Sequence, residues 1–140
     1  MSFTIYRCTL ASLILQPRRI TTDCAGDAPI MMQRALCDFN FERIQTAKSA
    51  IAAGISIHRG EVIMGTVGFT NRIESTVIGD AVNLASRVEG LTKQYNCNIL
   101  VNESVVSALL HPELFVLRLM DKSVKVKGKE DAIALYEVEI

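Results

Sequence analysis

The chain has 140 residues, enough for one compact domain with a hydrophobic core but not for two. Apolar residues make up 49% and charged residues 21% of the chain, as in ordinary soluble globular proteins, and the formal net charge is zero. A neutral chain without tryptophan lacks the positive field and the base-stacking surface of nucleic-acid-binding proteins, and has no field favouring an anionic membrane.

Residues 1–28 are predicted to be a leader of unclear structure, followed by a single domain over residues 29–140. The leader holds an apolar run, Cys8–Leu15, between Arg7 and the segment Gln16–Arg19. This order of charge and apolar residues is typical of a signal peptide, but the run is short, lacks a convincing cleavage site and cannot span a bilayer. A buried strand or a poorly structured leader is therefore expected. The four cysteines contain no CxxC pair, which favours free thiols and a cytoplasmic location.

The first half of the domain is predicted to combine a helix with strands. The helix extends from Ile30 to about Lys48, with Pro29 in its first turn, and its stripe consists of Met32, Leu36, Phe39 and Arg43. A strand hairpin, a loop and a strand follow, over Ala52–Gly65 with its turn at Arg59-Gly60, over Thr66–Glu74 and over Ser75–Ile78.

The second half begins with a predicted amphipathic helix over Asp80–Asn96. Its apolar stripe consists of Leu84, Val88, Leu91 and Tyr95. The remaining elements are a strand over Asn98–Asn102, a short helix over Glu103–Leu110, strands over Leu114–Met120 and Ser123–Val126, a turn over Lys127–Asp131 and a strand over Ala132–Ile140. Strands separated by helices predict an α+β sheet covered by helices.

Asn83 and Arg87 are the leading candidates for a binding site. They are four residues apart, so they project from one face of the helix near its start. Helix starts favour anionic phosphate, and an amide and a guanidinium could orient a sugar and neutralise a polyphosphate. The alternative is a capped surface helix, in which Asp80 is the cap, Asn83 folds back on the turn and Arg87 is solvated. The segment Lys127-Gly-Lys129 alone is more typical of a solvated hairpin turn than of a phosphate site.

Four sequence blocks occur in a definite order. They are Gly54–Gly65 (GISIHRGEVIMG), Thr76–Glu89 (TVIGDAVNLASRVE), Asn98–Asn102 (NILVN) and Val124–Lys129 (VKVKGK), ahead of a closing LYEV. From Met32 to Ile140 the chain thus resembles the class III adenylyl/guanylyl cyclase catalytic domain. The resemblance implies a ferredoxin-like βαββαβ core with a C-terminal β-hairpin, whose N-terminal strand and helix are missing or degraded here. It also implies conversion of a nucleoside triphosphate to a cyclic nucleotide and pyrophosphate, in signal transduction, at dimer interfaces.

The resemblance assigns a role to four residues. Asn83 matches the asparagine that orients the ribose, and Arg87 matches the arginine that stabilises phosphate charge in the transition state. Lys127 matches the lysine that binds the triphosphate. Thr76 lies where the family reads the purine, and threonine there favours ATP over GTP. The implied partners are ATP or GTP and a second cyclase domain, in a homodimer or a mixed dimer.

The metal-binding part of the family's site is not recognisable. The resemblance implies Mg²⁺ or Mn²⁺ held by two aspartates, one on an opening strand and one in a Gly-Asp turn. Gly26-Asp27-Ala28 superficially resembles that turn, but Asp27 lies too few residues before Gly54, and Asp23 is no better. No metal ligand is therefore assigned.

Three hypotheses remain open at this point. The chain is a truncated cyclase domain that is inactive alone, or a partner that lends its residues to an intact cyclase in a binding and regulatory role, or an unrelated ferredoxin-like interaction module.

Overall fold

The computed structural model describes residues 2–8, 12–15, 22–69, 72–124 and 132–140, with side chains over 27–63, 79–124 and 132–140. The described part contains three α-helices, one short 3₁₀ helix (Pro112–Leu114) and eight strands. The helices are α1 (Thr22–Gln45), α2 (Asp80–Tyr95) and α3 (Glu103–Val106). The strands are β1 (Ser2–Cys8), β2 (Ser12–Leu15), β3 (Ile55–Glu61), β4 (Ile63–Phe69), β5 (Arg72–Ile78), β6 (Ile99–Asn102), β7 (Leu117–Val124) and β8 (Ile133–Val138).

Six of these strands form the main sheet, in the order β2-β1-β3-β6-β8-β7. The pair β3 and β6 is parallel, and the other neighbours are antiparallel. A parallel pair needs a long crossover, which the segment containing α2 provides here. Strands β4 and β5 form a separate two-stranded sheet. The expected α+β fold with a helix-covered sheet is confirmed.

The helices cover both faces of the main sheet. Side chains alternate along the central strands, so Ile99 and Val101 face one side and Leu100 faces the other. Ile99 and Val101 belong to a core cluster that includes Val105 of α3, with Ile30 and Leu36 of α1 packed against it. Leu100 belongs to a second cluster with Leu84 and Val88 of α2. Helices α1 and α3 therefore lie on one face, and α2 lies on the opposite face.

Helix α2 agrees with the prediction almost residue for residue. Leu84 and Val88 are buried, and Leu91 and Tyr95 pack against the same cluster. Asn96 ends the helix in the left-handed conformation, at φ 52°, which asparagine tolerates better than most residues.

The prediction for α1 was wrong in its start and in part of its buried face, although Leu36 of the predicted stripe does pack against the core. The helix begins at Thr22, so Pro29 lies inside it and not in the first turn. Its buried face includes Pro29 and Gln33, whereas Met32 and Phe39 of the predicted stripe are each 49% exposed. A polar contact fixes this orientation of the helix, because the Gln33 amide donates a buried hydrogen bond to the Ala53 carbonyl at 2.6 Å. A pattern that counts only apolar residues misses such an anchor.

The predicted hairpin over Ala52–Gly65 was also wrong. Strand β3 continues through Arg59-Gly60, and β4 pairs with β5 rather than with β3. Most of the expected loop over Thr66–Glu74 is therefore strand. Gly60 marks a close contact, since a Cβ placed there would lie 2.7 Å from the Cβ of Ala81 on α2.

The C-terminal elements occur in the predicted order but differ from the prediction in length. Strand β6 confirms the predicted buried run, but α3 is shorter than the expected helix over Glu103–Leu110. Of the two strands expected over Leu114–Met120 and Ser123–Val126, the described part, which ends at Val124, forms a single strand, β7, with irregular register after Leu119.

Candidate active site

Asn83 and Arg87 lie together on the outer surface of α2. Both side chains are exposed, whereas Ala81, Leu84 and Ala85 between and before them are buried against the sheet. Residues four apart on a helix are neighbours on its surface. The structure thus brings the amide and the guanidinium to one exposed surface, on a helix whose opposite side is fixed in the core.

The start of α2 is formed by backbone and not by a side-chain cap. Gly79 is the N-cap residue in an extended conformation, and no side-chain cap hydrogen bond forms. The N–H groups of Val82 and Asn83 donate to the Gly79 carbonyl at 3.1 and 3.5 Å. The alternative in which Asp80 caps the helix is therefore wrong, since Asp80 is its first residue and is exposed. Asp80 is the acidic residue of the first turn, and its carboxylate makes no cap hydrogen bond to the helix start.

An open cavity of about 630 Å³ adjoins this helix start. Asp80, one turn before Asn83, lies on one wall, and Asn102 and Glu103 at the end of β6 lie on another. Ala132 and Ile133 also line the cavity and directly follow the segment that contains Lys127, whereas Asn83 and Arg87 are not among its lining residues. The helix start, the end of β6 and the start of β8 therefore converge on one depression.

The other two candidate residues are only partly placed. Thr76 lies on β5 opposite Gly65, in the strand that leads into Gly79 and α2, but its side chain is outside the described part. Lys127 falls in residues 125–131, which also lie outside the described residues. Their expected roles stay predictions.

The described residues do not fit the divalent metal that the resemblance implies. Asp27 is exposed on α1, not in a turn, and α1 packs on the face of the sheet opposite to α2. Asp23 lies on the same helix, with a side chain outside the described part. Within the ranges whose side chains are described, no group of three His, Cys, Asp or Glu residues could hold a metal ion. A carboxylate on α1 is thus separated by the sheet from Asn83 and Arg87 of the same chain.

One buried contact beneath α2 was missed by sequence reasoning. The Ser56 hydroxyl of β3 donates to the Ala85 carbonyl of α2 at 2.6 Å, and both residues are fully buried. The sequence signal is the run of small residues Gly54, Ser56 and Gly60 on one side of a strand.

The ionisable groups at the far end of α2 are structural. Burial, together with a hydrogen bond from the Tyr95 hydroxyl to Asp121 at 3.1 Å, raises the pKa of Tyr95. Burial raises the pKa of the Cys97 thiol to about 11, so the thiol is neutral at physiological pH. Neither group lies at the exposed surface that carries Asn83 and Arg87.

Comparison with known proteins relates the chain to cyclases. Residues 14–139 match the family model described as the adenylate and guanylate cyclase catalytic domain. The adenylate cyclase of Anabaena cylindrica is 67% identical over 122 residues, which are 84% of this chain and 24% of that protein. The terminal-differentiation-specific adenylate cyclase of Dictyostelium discoideum is 44% identical over 116 residues, 81% of this chain and 5% of that protein. The chain therefore spans about a quarter or less of these relatives.

Solved structures confirm the predicted ferredoxin-like core of a nucleotidyl cyclase domain. The adenylyl cyclase CyaB from P. aeruginosa aligns with a TM-score of 0.75 at 21% identity, covering 99% of this chain and 72% of that chain. The guanylyl cyclase Cya2 aligns with a TM-score of 0.73 at 23% identity, covering 91% and 64%. Across the described part of this chain, no helix is long and apolar enough to cross a membrane.

Proposed function

We propose that this chain, which belongs to the family of adenylate and guanylate cyclase catalytic domains, supplies the ribose-binding and phosphate-binding side of a nucleotide cyclase site. The observation that carries the proposal is the exposed pair Asn83 and Arg87 on a helix anchored in the core. Family membership also removes the third hypothesis, an unrelated interaction module.

The chemistry of cyclisation explains why these side chains are suited to the role. The 3′-oxygen of the ribose forms a bond to the α-phosphorus, the bond from that phosphorus to its bridging oxygen breaks, and pyrophosphate leaves while the hydroxyl loses its proton. Negative charge grows on the non-bridging and leaving oxygens. A guanidinium in a fixed position, as on Arg87, stabilises that charge, and the Asn83 amide holds the ribose in the orientation for attack. Lys127 adds a cation for the triphosphate.

ATP is the substrate we favour. The relatives from Anabaena and Dictyostelium, both more than 40% identical, are adenylate cyclases, and threonine at position 76 favours ATP within the family. Among structural neighbours, one guanylate cyclase domain is in complex with GTP and one rhodopsin-guanylyl cyclase with converted specificity is in complex with ATPαS. GTP is therefore the alternative that a substrate comparison must include.

In this proposal a second chain holds the Mg²⁺ or Mn²⁺ expected for the family. Asp27 lies on the opposite face of the sheet from α2, so it does not complete a site with Asn83 and Arg87. We therefore propose a site shared in a mixed dimer, in which an intact cyclase domain provides the metal ligands. The 140-residue chain purified alone is expected to be inactive. The boundary at residue 28 and the cytoplasmic location stay predictions.

A complementation experiment tests the proposal. The chain is mixed with an intact adenylate cyclase domain whose own motif asparagine and arginine are replaced by alanine, and cyclic AMP is measured with ATP and Mn²⁺. Cyclic AMP is expected from the mixture and from neither protein alone. If the mixture forms no cyclic AMP although sedimentation demonstrates the mixed dimer, a non-catalytic fragment or regulatory partner is the better account.

A further inference from the structure

Strand β3 presents small residues to α2 along most of the contact. A Cβ at Gly60 would lie 2.7 Å from the Cβ of Ala81, and a Cβ at Gly54 would lie 2.1 Å from Oγ1 of Thr92. Real Cβ atoms do not approach so closely, so the helix rests almost directly on the strand backbone. These contacts set the distance between strand and helix.

Between these two close contacts, the strand and the helix are joined by a hydrogen bond. The Ser56 hydroxyl donates to the Ala85 carbonyl at 2.6 Å, and both residues are 0% exposed. Van der Waals contact tolerates sliding and rotation, whereas a hydrogen bond weakens steeply when its angle changes. The bond therefore adds a directional constraint on the rotation of α2.

The bond lies directly beneath the candidate site. At about 100° per residue, Asn83 and Arg87 each point roughly 160° around the helix from Ala85. Ala85 is thus the residue through which this part of α2 contacts the strand, and the outer surface of the same part carries both side chains. A rotation of about 20° around the helix axis would move the tip of an extended arginine by roughly 3 Å.

We propose that Ser56 is a positioning residue, which holds α2 in the rotation that aims Asn83 and Arg87 at the nucleotide. The inference rests on the proposed function of that pair. The alternative is that a buried hydroxyl merely bonds to the nearest carbonyl. Ala85 O is already the acceptor of the helical hydrogen bond from Glu89, so α2 does not need Ser56 to satisfy this carbonyl.

A matched pair of variants separates the two roles. Ser56→Ala deletes the bond between strand and helix. Thr92→Val is the control, because valine keeps the shape of the side chain against Gly54 and removes only the hydroxyl, which donates to the Glu89 carbonyl at 2.7 Å in a residue that is 2% exposed. Both variants remove a buried hydroxyl bonded to an α2 carbonyl, but the Thr92 bond lies within the helix.

The complementation assay is expected to separate turnover from affinity. Ser56→Ala should lower kcat about 10- to 100-fold with KM within about twofold, since an error near 1 Å in a catalytic group costs up to about 100-fold. Thr92→Val should keep kcat within about twofold of the native chain. Native kcat in Ser56→Ala, or equal losses in both variants, would overturn the positioning role.

Amide hydrogen exchange on the purified chain provides a readout that does not need activity. Ser56→Ala should raise exchange several-fold over Asn83–Glu89, and Thr92→Val should not. If the native chain fails to complement, the proposed function fails, and exchange alone decides on Ser56. Unchanged exchange in Ser56→Ala would then reject the inference.

Discussion

Replacing Arg87 with alanine should impair turnover while leaving the fold intact. Arg87 is exposed, and its neighbour Val88 remains 1% exposed in the core, so the substitution removes no core contact. Surface substitutions change the free energy of unfolding by less than about 0.5 kcal/mol, and alanine is a strong helix former. Loss of a preorganised donor to a developing oxyanion costs about 3–4 kcal/mol of activation free energy, or roughly 10²- to 10³-fold in rate.

The assay is the mixed dimer, with kcat and KM determined separately and unfolding followed in urea. Because the contact forms mainly in the transition state, kcat and kcat/KM should fall equally, with KM unchanged. Lys93→Ala is the control, since Lys93 is an exposed cation on the same helix and its loss changes the net charge identically. Equal rate losses for Arg87→Ala and Lys93→Ala, or a rise in KM with native kcat, would refute the assigned role.

Further predictions concern substrate binding, the core and the thiols. Lys127→Ala should raise the KM for ATP more than it lowers kcat. Thr76→Ala should lower the ratio of kcat/KM for ATP to kcat/KM for GTP, while the free energy of unfolding measured in urea stays that of the native chain. Leu84→Ala removes a side chain that is 2% exposed, so the free energy of unfolding should fall by about 2–5 kcal/mol, and a loss below about 1 kcal/mol would contradict its core position. The pKa of Cys97 is raised to about 11 from 9.0 by burial, so folding favours the neutral thiol, and this stability, complete below pH 9, is lost as the pH rises toward 11. Cys97→Ala should remove that part of the loss of unfolding free energy at alkaline pH. In the native chain at pH 8, the exposed Cys37 should react with a thiol reagent long before the buried Cys97, and mass spectrometry identifies which thiol is labelled.

Helix α2 was predictable because its local pattern and its tertiary environment agree. Leu84 and Val88 recur at helical spacing, and the same spacing places Asn83 and Arg87 on the outside, as the structure has them. The buried run of β6 was predictable for a similar reason, since a short strand buried on both faces is continuously apolar.

The face of α1 was not predictable from hydrophobic spacing. Gln33 donates to Ala53 in the interior, and Asn40 exchanges hydrogen bonds of 2.7 and 2.8 Å with the backbone of Ile51. These polar contacts join residues 11 and 20 positions apart, so no local pattern reveals them. They turn Met32 and Phe39, which the apolar pattern assigns to the core, toward the surface.

Two small residues of β3 were misread for a related reason. Glycine at position 60 suggested a turn, because turns are its commonest use, while its role is to admit Ala81 of α2. Ser56 lies among the small residues on one side of the strand, but this pattern does not identify its partner Ala85, which lies 29 residues away. The exposed positions of Asn83 and Arg87 were therefore predictable, whereas the contact beneath them required the fold.

The most direct measurement is the rate of cyclic AMP formation as the mole fraction of this chain is varied against the intact cyclase domain lacking its own asparagine and arginine. Total protein is held constant, with saturating ATP and Mn²⁺. A shared site, with Asn83 and Arg87 from this chain and the metal ligands from its partner, predicts no activity at either end and a maximum near equal mole fractions. Activity that rises steadily toward the pure chain, or that is absent at every ratio despite a demonstrated mixed dimer, would contradict the account.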